Sequence, residues 1–226
     1  MIRFGNGDVL VTGARGGIGK PLCEHLRSKG FKPIGFGRAQ CNLVEASPEV
    51  RTAEYNRAEL SAVVHLATNF KKPAEDTVML RRMMEWAGEG SVPIFVYFSS
   101  WVVHFPSKGF VTGYVKAKRA SEALVREARE RYPDTKFYIV RPSVVVGDDG
   151  LMWQRIIRKL KNWTCLLPAE LSRSFVDISD VNEAVSNMLS GQKNLPLTVT
   201  TLGQRAPLKD WIREEMNNKS GGNFNT

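Results

Sequence analysis

The sequence predicts an α/β fold, a doubly wound parallel sheet with a small C-terminal part for substrate. Three observations carry that prediction. Short β-branched apolar runs alternate with segments of helical period along the chain. The runs are apolar throughout rather than at every second position, as strands covered on both faces are. A glycine-spaced loop, Thr12-Gly13-Ala14-Arg15-Gly16-Gly17-Ile18-Gly19, joins the first run to the first helical segment. Right-handed crossovers then wind the chain on both faces of the sheet. Ligands in such sheets bind beyond the carboxyl ends of the strands.

The elements follow in order. Val9-Leu10-Val11 reads as a buried strand. Ile18, Leu22 and Leu26 recur at i, i+4 and i+8, one face of a helix that Gly30 closes. Pro33 to Phe36 is a second strand, and Ala62 to Leu66 a third. Thr77 to Ala87 is helical, with Val78, Met79, Leu80, Met83, Met84 and Trp86 on more than one side. That is more apolar surface than one sheet-facing stripe needs, and it suggests a homodimer contact. Ile94 to Phe98 is a strand, Tyr114 to Arg131 the longest helix, and Phe137 to Val140 the next strand. Asp180-Val181-Asn182-Glu183 reads as a D-x-x-E capping pattern with Asp180 as N-cap. Leu197 to Thr201 is a late strand and Pro207 to Met216 a last helix. Residues 1–216 then form one domain, with the substrate part at about 150–175 and 200–216. The Asn- and Gly-rich residues 217–226 read as a disordered tail.

Composition narrows the class. With 226 residues, 42% hydrophobic and 24% charged, the chain can bury a core without a disulfide or metal staple. The three cysteines have no C-x-x-C spacing, which argues against a zinc site and suits a reducing compartment such as the cytoplasm. No run approaches a membrane span, and the first eight residues are too short and polar for a signal peptide. The net charge of +9 favours anionic partners. Its basic residues are dispersed, however, and no nucleic-acid fold signature is present, so neither nucleic acid nor membrane is an expected partner.

Gly13, Gly16 and Gly19 stand as G-x-x-G-x-x-G after a strand and before a helix. Glycine is needed where the backbone turns tightly, approaches a pyrophosphate and packs helix on strand. The helix N-terminus offers free N–H groups to the anion. Residues 13–19 are therefore the candidate dinucleotide loop. An acidic residue after the second strand would bond a ribose 2′-OH, but none occurs from Phe31 to Val44. Gly37-Arg38 stands there instead, and Arg15 lies in the loop. Two guanidinium groups suit a 2′-phosphate, so NADP(H) is expected over NAD(H).

Tyr114-Val115-Lys116-Ala117-Lys118 is Y-x-x-x-K, which puts Tyr114 and Lys118 one helical turn apart. A phenol is a poor base at neutral pH. A lysine cation about 6 Å away is worth roughly 2.8 kcal/mol at an effective dielectric of about 20, or roughly two pKa units. With a positive nicotinamide nearby, the phenol is expected to approach neutrality, where acid–base work is efficient. Ser99-Ser100 ends the fourth strand. Ser100 is the candidate donor to a substrate carbonyl oxygen, and Ser99 is expected to cap backbone. His65 is expected to be structural; no metal site is expected.

Together the glycine loop, Val64-His65-Leu66-Ala67, Phe98-Ser99-Ser100, Tyr114-x-x-x-Lys118, Arg141-Pro142 and Arg173-Ser174-Phe175-Val176-Asp177-Ile178-Ser179-Asp180 stand in the order of one superfamily. The chain resembles an extended short-chain dehydrogenase/reductase of the NAD-dependent epimerase/dehydratase family over roughly residues 8–215. The resemblance implies a Rossmann fold and a Ser/Tyr/Lys catalytic set. Ser100 would orient the carbonyl, Tyr114 would be the acid/base, and Lys118 would hold the nicotinamide ribose and lower the tyrosine pKa. Leu66 and Ala67 would line the cofactor site. Arg173 matches an arginine that often contacts a nucleotide-sugar pyrophosphate. Dimerisation through two helices is also implied.

This sequence departs from the family in informative ways. Dehydratases carry an Asp-Glu pair after the catalytic hydroxyl residue, but Trp101-Val102 follow Ser100 here, which disfavours elimination of water. His104 stands where the family often has tyrosine. The Ser100–Tyr114 loop and the C-terminal part are short, so the substrate lobe is small. The expected activity is NADP(H)-dependent oxidation or reduction of a carbonyl or secondary alcohol, with a nucleotide sugar as substrate. An epimerase that recycles its cofactor and a non-catalytic NADP(H)-binding sensor or scaffold are the alternatives.

Overall fold

The computed structural model describes residues 7–46, 48, 57–69, 71–104, 112–147, 172–191, 195–201 and 203–207. Strands β1 (Asp8–Thr12), β2 (Lys32–Phe36), β3 (Leu60–His65), β4 (Ile94–Phe98), β5 (Lys136–Pro142) and β8 (Thr198–Thr201) form a six-stranded sheet ordered β2-β1-β3-β4-β5-β8. All of its pairings are parallel. Helices α1 (Gly19–Ser28), α2 (Ala74–Glu89), α3 (Thr112–Arg131) and α4 (Ile178–Leu189) cover it. A second, three-stranded sheet joins β6 (Val144–Val146), β7 (Ser172–Asp177) and β9 (Gln204–Pro207), in the order β6-β7-β9.

The unbroken apolar runs are explained by two cores. Side chains alternate along a strand, so each run feeds both. Val9, Val11, Ala62, Val64, Ile94 and Val96 face one layer with Leu22 and Leu26 of α1 and Val181 and Val185 of α4. Leu10, Val63, Phe95, Phe137 and Ile139 face the other with Leu80 and Met83 of α2 and Val125 of α3. Each fully buried side chain of this size contributes about 1.5–3 kcal/mol of transfer free energy, so a polar residue inside either layer needs a partner.

Several sequence expectations shift. Helix α2 begins at Ala74, a turn before Thr77, just after Pro73. Its expected surplus of apolar surface is consumed inside the chain: Met79, Leu80, Met83, Met84 and Trp86 are buried, and only Val78 is exposed. Asp180 is not an N-cap. Helix α4 starts at Ile178, and the Asp177 carboxylate accepts from the Ser179 amide at 2.8 Å. The capping residue sits three positions earlier than the D-x-x-E pattern suggested, because β7 runs directly into the helix. Pro207 does not open a helix; it ends β9, opposite Ser172. The remainder of that expected helix, residues 148–171 of the expected substrate part, and the tail 217–226 lie outside the described residues. No helix among the described residues is long and apolar enough to cross a membrane.

Candidate active site

The strand order puts the carboxyl ends of β1, β3 and β4 side by side. Gly13 leaves β1 with φ of 70°, a conformation L side chains rarely adopt. A Cβ there would lie 3.1 Å from the Ala67 nitrogen, so the glycine lets the loop rest on Leu66-Ala67 at the end of β3. Gly19 is tighter still, since its Cβ would meet the Gly13 oxygen at 2.3 Å. Gly16 donates to the Gly13 oxygen at 2.9 Å and Lys20 to the Gly16 oxygen at 3.0 Å. The amides of Arg15, Gly17 and Ile18 have no acceptor among the described residues. Free amides beside the start of α1 fit an anionic pyrophosphate.

Thr12 ties the loop to β3. Its hydroxyl oxygen accepts from the Leu66 and Ala67 amides, each at 3.1 Å, and lies 3.1 Å from His65 Nδ1. With two donors already on that oxygen, the hydroxyl proton points to Nδ1, which makes His65 an acceptor there. Burial pushes the imidazole pKa down to about 3, with the Lys118 charge adding to the effect. His65 is thus a neutral structural residue stacked near Phe95 and Tyr97. No cluster of three or more His, Cys, Asp or Glu side chains suited to a metal occurs among the described residues.

Arg15 and Arg38 are both exposed and emerge at the same end of adjacent strands, because Thr12 pairs with Phe36 and the Gly13 amide donates to the Phe36 oxygen at 3.2 Å. Arg38 also reaches Glu75 electrostatically. The Asn69 amide group, Lys72 and, more weakly, Arg38 hold the Glu75 carboxyl below its usual range.

Ser100, Tyr114 and Lys118 come together. Tyr114 hydrogen-bonds the Ser100 side chain, and Lys118 Nζ lies 5.6 Å from the centre of the Tyr114 ring. Lys118 Nζ also sits 5.0 Å from the Tyr97 ring centre and donates to the Phe98 oxygen at 3.1 Å. The electrostatics differ from the sequence expectation. Burial pushes the Tyr114 phenol up to about 12; the Ser100 hydrogen bond lowers it in part, and Asp76 raises it further. With the protein's own groups alone, burial is the main reason the phenol stays above its usual value, and the Asp76 carboxylate, which spacing alone did not reveal, adds to it. Asp76 Oδ2 lies 3.7 Å from Lys118 Nζ, with both side chains almost fully buried. Burial drives Lys118 down to about 8, opposed by Asp76 and then by Glu122.

Ser99 does not cap backbone with its side chain. Its hydroxyl donates to Glu122 Oε1 at 2.6 Å. Glu122 also receives a two-pronged guanidinium contact from Arg141, whose Nε lies 2.7 Å from Oε1, and a bond from Arg126 at 3.1 Å. Burial alone would raise the Glu122 carboxyl, yet Arg141, Ser99 and Arg126 together hold it below the usual carboxylate range. This clamp locks the ends of β4 and β5 to α3. Trp101–His104 forms a 310 turn after Ser100, pinned by Val102 N to Ser100 Oγ at 3.4 Å and by Arg119 Nε to the Val103 oxygen at 2.9 Å. The His104 and Trp101 rings lie 6.2 Å apart, and His104 is exposed. Arg173 lies on β7 opposite Ala206; its side chain lies outside the described residues. Sequence reasoning missed Asp76 and Glu122. The i+4 stripe Tyr114–Lys118 continues to Glu122 and was a usable signal for the latter; an acidic residue in the first turn of α2 gave no comparable sign.

With this geometry in place, the comparisons are informative. The model of the NAD dependent epimerase/dehydratase family matches residues 9–199. The uncharacterized protein YbjS of Escherichia coli (strain K12) is 24% identical over 216 residues, covering 80% of this chain and 63% of its own length. This chain therefore spans less than two thirds of that relative. The crystal structure of a GDP-L-fucose synthetase from Naegleria fowleri bound to NADP superposes with a TM-score of 0.75 at 17% identity, over 97% of this chain and 80% of that one. MoeE5 in complex with UDP-glucose and NAD gives 0.74 at 22% identity, over 95% and 82%. At these identities the likeness establishes the Rossmann-like fold.

Proposed function

The chain belongs to the NAD dependent epimerase/dehydratase family, and from that premise we propose that it is an NADP(H)-dependent oxidoreductase of a carbonyl or secondary alcohol, with a nucleotide sugar as substrate. One observation carries the reading: the hydrogen bond between Ser100 and Tyr114, with the Lys118 ammonium 5.6 Å from the phenol ring at the carboxyl edge of the sheet. Residues 13–19 with Leu66 and Ala67 hold the dinucleotide. Arg15 and Arg38 favour the 2′-phosphate of NADP(H) by charge-assisted forks. When bound, the dinucleotide supplies or accepts the hydride.

The protein's own residues handle the proton. The Ser100 hydroxyl donates to the substrate oxygen and orients it. Tyr114, protonated at neutral pH because burial raises its pKa to about 12, gives its proton to that oxygen during reduction. Lys118 binds the nicotinamide ribose. In the oxidation direction the same phenol, once deprotonated, takes the proton back from the substrate hydroxyl. The nucleotide-sugar assignment is supported by the named structures with UDP-glucose and by the GDP-L-fucose synthetase, both of this fold.

Tyr114→Phe tests the reading. NADPH oxidation against a panel of nucleotide sugars and small ketones should fall by at least about 10²-fold, while NADPH binding measured by fluorescence stays within a few-fold. Unaltered turnover would remove Tyr114 from the chemistry. Stoichiometric NADPH consumption separates a reductase from an epimerase, which returns its cofactor.

A further inference from the structure

Lys118 is a cation almost out of water, and Asp76 meets it at 3.7 Å. The Asp76 carboxylate is itself fixed from a third element. Thr68 Oγ1 donates to Oδ2 at 2.5 Å, and the Asn69 amide donates to Oδ1 at 2.6 Å. Thr68 and Asn69 directly follow Leu66-Ala67, the segment held by Thr12 and packed under Gly13. One carboxylate thus joins α2, the end of β3 and the lysine of α3. The other buried residues of α2, from Met79 to Gly88, are all uncharged, so packing alone does not require a charge at this position.

The surroundings leave this ion pair its own role. Around Lys118 stand Tyr97 of β4, Tyr114 one turn back on α3, Glu122 one turn on, and His65 of β3. Both phenols are pushed up by burial and are uncharged at neutral pH, and His65 is neutral. Glu122 is engaged by Arg141, Arg126 and Ser99. Asp76 is the ion-pair partner of Lys118 among the described residues.

We propose that Asp76 is a positioning residue, the fixed counter-ion that keeps the Lys118 ammonium charged and turned toward the dinucleotide edge of the site. This rests on Lys118 being the residue that holds the dinucleotide ribose. Burial works against the charged lysine and Asp76 is the largest influence opposing it, so losing the carboxylate lets Lys118 shed its proton at lower pH. Asp76 also holds Thr68 and Asn69, which makes the lysine's aim depend on the same segment that lines the cofactor site.

The test follows NADPH binding to the full chain by fluorescence between pH 6 and 9.5, a readout that needs no substrate. In the wild type, affinity holds to about pH 7.5 and weakens as Lys118 loses its proton near 8. In Asp76→Asn the weakening begins at least about one pH unit lower, so affinity matches the wild type at pH 6 and is several-fold lower at pH 7.5. In Lys118→Met the high-pH loss is absent. Thr68→Val, which keeps both charges and frees the carboxylate to turn, moves the midpoint the same way by less and stands in should Asp76→Asn not fold. Coincident curves for the wild type and both Asp76→Asn and Thr68→Val overturn the proposal, as does a high-pH loss that persists in Lys118→Met. A wild type that binds no NADPH at any pH overturns the reading of the site itself, a separate result.

Discussion

Lys118 and Glu122 stand one turn apart on α3, both nearly out of water, and their surroundings treat charge in opposite ways. Around Glu122 the partners prevail: burial is outweighed by Arg141, Ser99 and Arg126, and the carboxyl stays ionised below its usual range. The Arg141 guanidinium is raised in turn, chiefly by its bond to Glu122. Around Lys118 burial prevails: the lysine falls to about 8, His65 falls to about 3 and Tyr114 rises to about 12. The contact distances explain the contrast. Glu122 receives close, forked hydrogen bonds, whereas Asp76 faces Lys118 at 3.7 Å. The first cluster is a structural clamp. In the second, burial moves the pKa values of several neighbouring groups away from their ordinary values, a pattern that also marks candidate reactive sites.

The largest expected effect comes from breaking the clamp. Glu122→Ala leaves Arg141 with an unanswered charge and should cost about 3–5 kcal/mol in urea denaturation. A loss under about 1 kcal/mol would mean that the two clusters are energetically alike. A different result is expected on the site side. Asp76→Asn/Lys118→Met removes both charges of a buried ion pair together and should be close to neutral in stability, within about 1 kcal/mol, while dinucleotide binding falls. A marked loss of stability in that double variant would make it a second clamp.

The last contrast is read by pH. His65 has its folded pKa below its unfolded value, so the unfolded chain binds more protons between about 6.5 and 3, and stability falls as pH falls through that window. At pH 4.5 the loss should be about 2–3 kcal/mol relative to neutral pH. Glu122 also has a depressed pKa, but its contribution is fully present above its unfolded value of 4.5 and is lost only below it. A stability curve measured by denaturant at successive pH values should therefore begin to fall near 6.5 and steepen below 4.5. A curve flat down to 4.5 would show that His65 accepts its proton without cost and remove it from the burial-dominated group.

Most of the frame was legible in order along the chain. Continuous apolar runs predicted strands buried on both faces, and the two cores of the sheet account for them. The glycine loop and the Tyr114/Lys118 spacing pointed to the candidate site, because both are local: a turn of positive φ and one helical turn. Boundaries set by neighbouring elements were less legible. Helix α4 is capped by Asp177 rather than Asp180, since a strand feeds straight into it. The methionines of α2 looked like surface for a partner and proved to be core. An apolar side chain in a sequence carries no label for which neighbour covers it.

The sequence by itself determined the sheet and the loop and singled out Ser100, Tyr114 and Lys118 as candidates, because each rests on a local signal: an unbroken apolar run, a strand end, one helical turn or glycine's freedom at one turn. Tertiary structure alone decided their charge states. Asp76 is 42 positions from Lys118, and the end of β3 is brought to both only when α2 and α3 pack side by side. How far a buried proton is held depends on distances and desolvation between segments remote in the chain, and those exist only in the folded molecule.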